Sequence, residues 1–303
     1  MTRVELPDEV LAFDGSVRGG LGVGAAGKVG VLELDLVAAE GRTRVGRQYQ
    51  QAPLHVFLPI YLDPDRPDMP FIFVQQSGDG YVQGDRYRID IGCAPEAAAH
   101  ITTPAATKVF GARQNFATQL VNLAAAPGAV LEYLPDPVVP CRGSRLFQRL
   151  SVTADRDSTV ILADTLLPGR VAHGEAHVYD LYWSETEVRR PDGTLLFADV
   201  LRLDPAGGRH PKSIGLCGHH DVIASLYVIT SRIDPPALVA MLRAVLTASP
   251  EVLAGVSELP NGCGIVVRAL GRSSKAVQAA VVAAWNEARL ALLGAPAPDL
   301  RKG

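Results

Sequence analysis

A chain of 303 residues, 48% hydrophobic and 20% charged, has enough apolar side chain to bury a core, which excludes whole-chain disorder. Its 29 basic and 32 acidic residues leave a net charge of −3, so no global basic surplus exists to drive binding to nucleic acid or to an anionic membrane. The 29 Gly and 22 Pro residues argue against a helical bundle and for many short elements joined by tight turns.

The first element is a leader over residues 1–27. Its end, Gly22-Val23-Gly24-Ala25-Ala26-Gly27-Lys28, fits G-x-G-x-x-G and comes close to a P-loop. Either phosphate-binding pattern needs a strand before it and a helix after it, because the helix N-terminus supplies the amides. Asp14–Gly20 is not a strand, the segment after Lys28 alternates with period two, and Val29 stands where a Mg²⁺-binding hydroxyl would be. The span therefore reads as a flexible leader.

From Lys28 to about Arg202 the dominant period is two. Strands are expected at Val29–Leu36, Leu54–Leu58, Phe71–Val74, Tyr87–Ile91, Ala99–Thr103, Ala117–Leu123, Ala129–Leu134, Thr159–Ala163 and Val178–Thr186, with turns such as Ser77-Gly78-Asp79-Gly80 and Pro191-Asp192-Gly193 between them. Strands this frequent without intervening helices imply an antiparallel-rich, mainly β body. The C-terminal third changes character. Asp234-Pro235-Pro236 offers an N-cap and a Pro at N1, and Leu238, Met241, Leu242, Val245 and Leu246 follow at helical spacing. A strand at Gly264–Arg268 and a helix from Ser273-Ser274, with Val277, Val281, Trp285, Ala288 and Leu292 on one face, complete the chain.

Cys93, Cys141, Cys217 and Cys263 form no C-x-x-C, Met1–Pro7 has no apolar signal core, and no run of 18 apolar residues exists. A cytoplasmic protein with reduced thiols and no membrane span is expected. Two clusters carry metal-ligand chemistry. His173-Gly174-Glu175-Ala176-His177 would turn three ligands to one side of a strand, although the outer two would lie about 13 Å apart. Cys217-Gly218-His219-His220-Asp221 gathers thiol and imidazole in a Gly-flanked loop suited to transient Ni²⁺ or Zn²⁺, without the spacing of a structural zinc module. Neither G-x-S-x-G nor H-E-x-x-H occurs, and Cys141 beside Arg142 has no assignable base. The residues alone leave open a metal-dependent enzyme using His173, Glu175 and His177, or a metal-free β-rich binding module.

Four segments carry a more specific signal. Asp79-Gly80-Tyr81-Val82-Gln83-Gly84-Asp85 resembles the G-G-φ-φ-G-G-D turn of the urease accessory protein UreD (UreH) family. Ile101–Phe110 is similar to that family's T-T-P-A-A-T-K-V-Y stretch, Leu131–Pro137 to L-E-W-L-P-Q-x, and Asp164–Arg170 with Gly174-Glu175 to D-x-x-x-x-G-R…G-E. Asp79 and Gln83 replace glycines of the first motif, and the family's P-R-I-W ending is absent.

The resemblance implies one UreD-like domain over 28–303, an elongated β-helix-like stack with a β body at about 28–230 and an α-containing part at about 231–295 bearing two helices. It implies a non-enzymatic accessory role in nickel urease maturation. The expected partners are apo-urease, a UreF-type protein and, through it, a UreG-type GTPase, with a dimer of heterodimers with the UreF-type protein as one expected assembly. No tightly bound cofactor is implied, only Ni²⁺ in transit through an internal channel. By motif position the channel candidates are Asp85, Thr107, Asp164, Glu175 and Asp199; Lys108, Glu132 and Arg170 are structural motif residues. Cys217, His219, His220, His173 and His177 are candidates for transient metal contact.

Overall fold

Alternation of buried and half-exposed residues is cleanest in Arg86–Cys93, where Tyr87, Ile89, Ile91 and Cys93 turn inward. Repeated along the chain, this pattern gives strands with one face in a shared interior. In the computed structural model, residues 5–14, 27–247 and 251–300 are described. A helical turn, α1 (Asp8–Leu11), comes first. The strands are β1 (Val29–Ala39), β2 (Arg42–Gln51), β3 (Leu54–Val56), β4 (Phe71–Gln76), β5 (Arg86–Cys93), β6 (Ala98–Thr102), β7 (Thr107–Val109), β8 (Ala117–Ala125), β9 (Val130–Tyr133), β10 (Val138–Pro140), β11 (Arg145–Ala154), β12 (Thr159–Leu166), β13 (Leu181–Arg189), β14 (Leu195–Leu203) and β15 (Val222–Ile229). Then follow α2 (Pro235–Leu246), β16 (Val252–Glu258), β17 (Gly264–Gly271) and α3 (Ser274–Leu293).

One sheet runs β14-β13-β11-β8-β5-β1-β2 and the other β16-β17-β15-β12-β9-β6-β4-β3, with β7 and β10 pairing beside them. The chain crosses from one sheet to the other and back, so β5-β6-β7, β8-β9-β10 and β11-β12 are successive coils of a β-solenoid of about four turns. The mainly β, helix-like stack is as expected, but its interior pairing is not antiparallel-rich. β1, β5, β8, β11 and β13 pair in parallel, as do β4, β6, β9 and β12, because each coil re-enters a sheet in the same direction. Antiparallel pairs, such as β1–β2, β13–β14 and β15–β17, gather towards the ends of the stack. The crossover is a strand of the opposite sheet rather than a helix, so period-two alternation does not distinguish the two pairings.

The main core fills the space between the sheets. A second core lies on the outer face of the second sheet under α2 and α3, where Leu238, Leu242, Val277, Ala284 and Trp285 are buried. Pro235 opens α2 as expected, while Ser273 caps α3 by accepting from the Ala276 N–H at 3.3 Å. Arg289 of α3 is fully buried: its guanidinium meets Asp63 at 2.6 Å and approaches Glu132 at 3.6 Å. Glu132 in turn receives His100 Nδ1 at 2.7 Å. This pins the helix to the sheet through Glu132 of β9.

The Gly22–Ala26 part of the glycine-rich pattern lies outside the described residues. Residues 5–14, expected to be part of a flexible leader, are packed on the body, with Val10 fully buried. Among the described residues no helix is long and apolar enough to cross a membrane.

Candidate functional site

The interior faces of the first sheet are mostly apolar, but parallel register stacks one polar row along the solenoid axis. Gln148 on β11 stands opposite Gln119 on β8 and Ser184 on β13. From the second sheet Asp164 on β12 reaches this row. Its carboxylate accepts from Ser184 Oγ at 2.8 Å, from Gln148 Nε2 at 3.2 Å and from the Tyr182 hydroxyl at 3.3 Å. Burial pushes the Asp164 carboxyl above the ordinary carboxylate range; the three hydrogen bonds and the charge of Arg268 oppose that shift without cancelling it.

Asp164, Gln119, Gln148, Ser184, Thr186, Thr107, Asp136 and Arg149 line a small cavity of roughly 50 Å³. Thr103, Thr107, Gln119 and Tyr133 also border a second space, of roughly 340 Å³, which reaches the Asp79-Gly80 turn and Lys108. Pro135, Asp136, Ala163 and Thr165 border a third, of roughly 260 Å³, beneath Gln278 and Trp285 of α3. The three spaces thus share walls, Thr107 lining the first and second and Asp136 the first and third. Asp136 is held by its backbone N–H, which donates to Thr103 Oγ1 at 2.9 Å, while the Thr103 hydroxyl lies 3.3 Å from its carboxylate.

Of the channel candidates, Asp164 and Thr107 therefore share a cavity. Asp199 on β14 stands opposite Thr186, one strand past the cavity wall. There the Tyr227 hydroxyl and the Arg268 guanidinium both donate to it, bridging the two sheets. Asp85 and Glu175 are not among the cavity-lining residues. Asp85 is buried and accepts from the Lys28 N–H at 2.8 Å, the Val82 N–H at 2.9 Å and the Tyr87 hydroxyl at 2.7 Å, so its carboxylate closes the turn before β5. Glu175 takes Arg170 in a two-pronged ion pair at 2.7 and 2.8 Å, plus the Arg142 N–H at 3.2 Å. The Arg170 guanidinium holds its carboxyl down at about 2. Gly169, which precedes Arg170, has φ +130°, and a Cβ there would meet the Glu175 carbonyl oxygen at 2.1 Å. Lys108 is exposed and forms no ion pair among the described residues; its carbonyl accepts from the Tyr81 N–H at 2.8 Å. The facing Gly80, at φ +151°, has no room for a Cβ against that carbonyl.

The His-rich segment is not a strand. Val171–His173 is a 3₁₀ turn, and Gly174 and His177 have positive φ, so the three expected ligands diverge. His173 is exposed, Glu175 faces Arg170, and His177 Nε2 lies 3.0 Å from Asp221. In the Cys217 loop the thiol is buried and pushed up by that burial, His219 is exposed, and His220 Nδ1 lies 3.0 Å from the Cys217 carbonyl. Among the described residues no group of three or more His, Cys, Asp or Glu is arranged to hold a metal ion. All four cysteines are free and buried.

Gln148, Ser184, Tyr182 and Asp136 were not singled out from sequence. Gln148 carries a readable signal, since it interrupts the inward series Leu146, Leu150, Val152. Ser184 and Asp136 have none without the register that brings them to Asp164.

The family model described as "UreD urease accessory protein" matches residues 28–302. The chain is 42% identical over 289 residues to urease accessory protein UreD 2 of Streptomyces griseus, covering 95% of this chain and 98% of that one. It is 37% identical over 280 residues to urease accessory protein UreD of Haloarcula marismortui, covering 92% of each. It is 32% identical over 284 residues to that of Cenarchaeum symbiosum, covering 94% of this chain and 99% of the relative.

Proposed function

We propose, from the premise that this chain belongs to the UreD family of urease accessory proteins, that it acts in urease maturation by conducting Ni²⁺ through its interior to apo-urease. In this reading it also scaffolds a UreF-type protein and, through it, a UreG-type GTPase, in the cytoplasm, and is not itself an enzyme. The observation that carries the reading is the convergence of Asp164, Gln148 and Ser184 on a cavity whose walls continue past Thr107 and Asp136.

The chemistry suits cargo in transit. Ni²⁺ here is substrate, to be accepted and released. The buried Asp164 carboxylate, held by neutral amide and hydroxyl groups with Asp136 and Arg149 elsewhere on the same wall, offers oxygen ligands without a thiolate cage, which would trap the ion. Burial disfavours the ionised Asp164 carboxylate, and a passing cation would favour it, so the attraction is greatest while the cation is beside it. The Ser184 and Gln148 hydrogen bonds keep the carboxylate aimed into the space between passages. Divergence of His173, Glu175 and His177 leaves the rival metal-dependent enzyme without a ligand set.

Co-expression with urease subunits and a UreF-type protein tests the scaffold. Affinity capture of this chain is expected to bring down both; recovery of the folded chain with neither would leave a stand-alone β-rich module as the better description.

A further inference from the structure

The first sheet carries a second surface of organised character, on its outer face and apart from the interior passage. Register places Phe147 of β11 beside Trp183 of β13, which in turn faces Arg202 of β14. Phe116 and Leu181 extend this apolar floor, and all four apolar side chains are buried. Arginines surround it. Arg86 lies over the Phe116 ring at 4.5 Å, Arg149 over Phe147 at 5.5 Å and Arg202 over Trp183 at 4.9 Å. Aromatic floors ringed by arginine have the composition of protein-binding hot spots.

What covers the floor is residues 5–14, Glu5-Leu6-Pro7-Asp8-Glu9-Val10-Leu11-Ala12-Phe13-Asp14, with four acidic residues and no basic one. Leu6, Val10 and Phe13, at i, i+4 and i+7, face the floor. Glu9 pairs with Arg202 at 2.6 Å, Arg145 stacks on Phe13 at 4.4 Å, and the Phe13 carbonyl accepts from the Asn115 N–H at 2.8 Å. The single helical turn Asp8–Leu11 is far too short to hold its own shape, so the surface imposes it. The family match starts at residue 28, after this strap.

We propose that the outer face of the first sheet is a docking groove for an acidic amphipathic helix, and that residues 5–14 occupy it in cis as a displaceable strap. The partner's chemistry is read from the strap: apolar residues at i, i+4 and i+7, the last an aromatic ring under Arg145, with a carboxylate beside them that meets Arg202. This proposal stands apart from the nickel route.

The test uses the full chain and a fluorescein-labelled peptide of residues 5–14. Val10→Glu removes the buried anchor and frees the groove. A tether gives the strap a local concentration on the order of millimolar, so a peptide with a Kd of about 0.1 mM should bind the wild-type chain about tenfold more weakly than the variant. Fluorescence anisotropy is expected to show that difference. Adding Arg202→Glu to the variant is expected to weaken binding severalfold. Val10→Ala gives the same comparison should Val10→Glu unfold the body. No binding to a folded, released variant would overturn the groove, and equal binding to both chains would overturn its occupation by the strap. A wild-type dimer that Val10→Glu makes monomeric would also overturn the cis arrangement, in favour of strap exchange between copies.

Discussion

Replacing Asp85 by alanine removes the acceptor of three donors at once, the Lys28 and Val82 N–H groups and the Tyr87 hydroxyl. Lys28 and Val82 are half-buried, so water recovers part of what they lose, leaving about 1 kcal/mol each. Tyr87 is buried, and its hydroxyl already accepts from Gln76 Nε2 at 3.2 Å, so its proton is left with no acceptor, at about 2 kcal/mol. The total, about 4 kcal/mol, corresponds to a fall of about 8 °C in Tm at roughly 2 °C per kcal/mol for a domain of this size. Thermal melting followed by circular dichroism at neutral pH measures it. Tyr87→Phe, which deletes one of the three bonds, is expected to lose about 2 °C. A Tm for Asp85→Ala within about 2 °C of wild type would refute the turn-clamp reasoning, because that is the range of an exposed surface change.

Asp164→Asn should behave in the opposite way. The folded carboxyl titrates above its ordinary 3.8, so the native state holds the proton where the unfolded state has lost it, and stability falls as pH rises through that interval. Asparagine removes this loss, so the variant is expected to melt no lower than wild type at pH 7 in scanning calorimetry, with any advantage gone below the ordinary value. Glu175 has the reverse sign: held at about 2 against an ordinary 4.5, it contributes stability above pH 4.5 that is lost as pH falls through about 2. In acid titrations Glu175→Gln is expected to be less stable than wild type at neutral pH and to converge with it near pH 2. Arg289→Leu leaves Asp63 and Glu132 buried without their cation and is expected to cost about 3–5 kcal/mol, read as a melting shift and a change in Trp285 emission.

Strand positions and the two long helices were legible because their signals are local. Inward alternation marks Arg86–Cys93, Pro235 marks the start of α2, and Ser273 caps α3. Seven strands were not predicted, β2, β7, β10, β11, β14, β15 and β16: β16 is an edge strand with Leu253 exposed, so it lacks a continuous buried face, while β15 is buried throughout and shows no alternation. Parallel pairing was not legible, since alternation gives the spacing of side chains and not the direction of a neighbour. The family motifs picked out Asp164 and Thr107, which the fold brings to one cavity, and also Asp85 and Glu175, which it uses as clamps. All four are motif acids or hydroxyls, and only their neighbours in space separate the roles. The strap on the outer face was hidden for the same reason, because its floor comes from residues as far apart in sequence as Phe116 and Trp183.

The most direct test of the account is the nickel content of urease matured in cells by the Asp164→Asn chain, measured by plasma mass spectrometry on urease purified from a co-expression in which complex formation is checked by affinity capture. The account expects an intact complex and a severalfold fall in nickel per urease active site. An intact complex that delivers wild-type nickel would contradict the interior passage through Asp164.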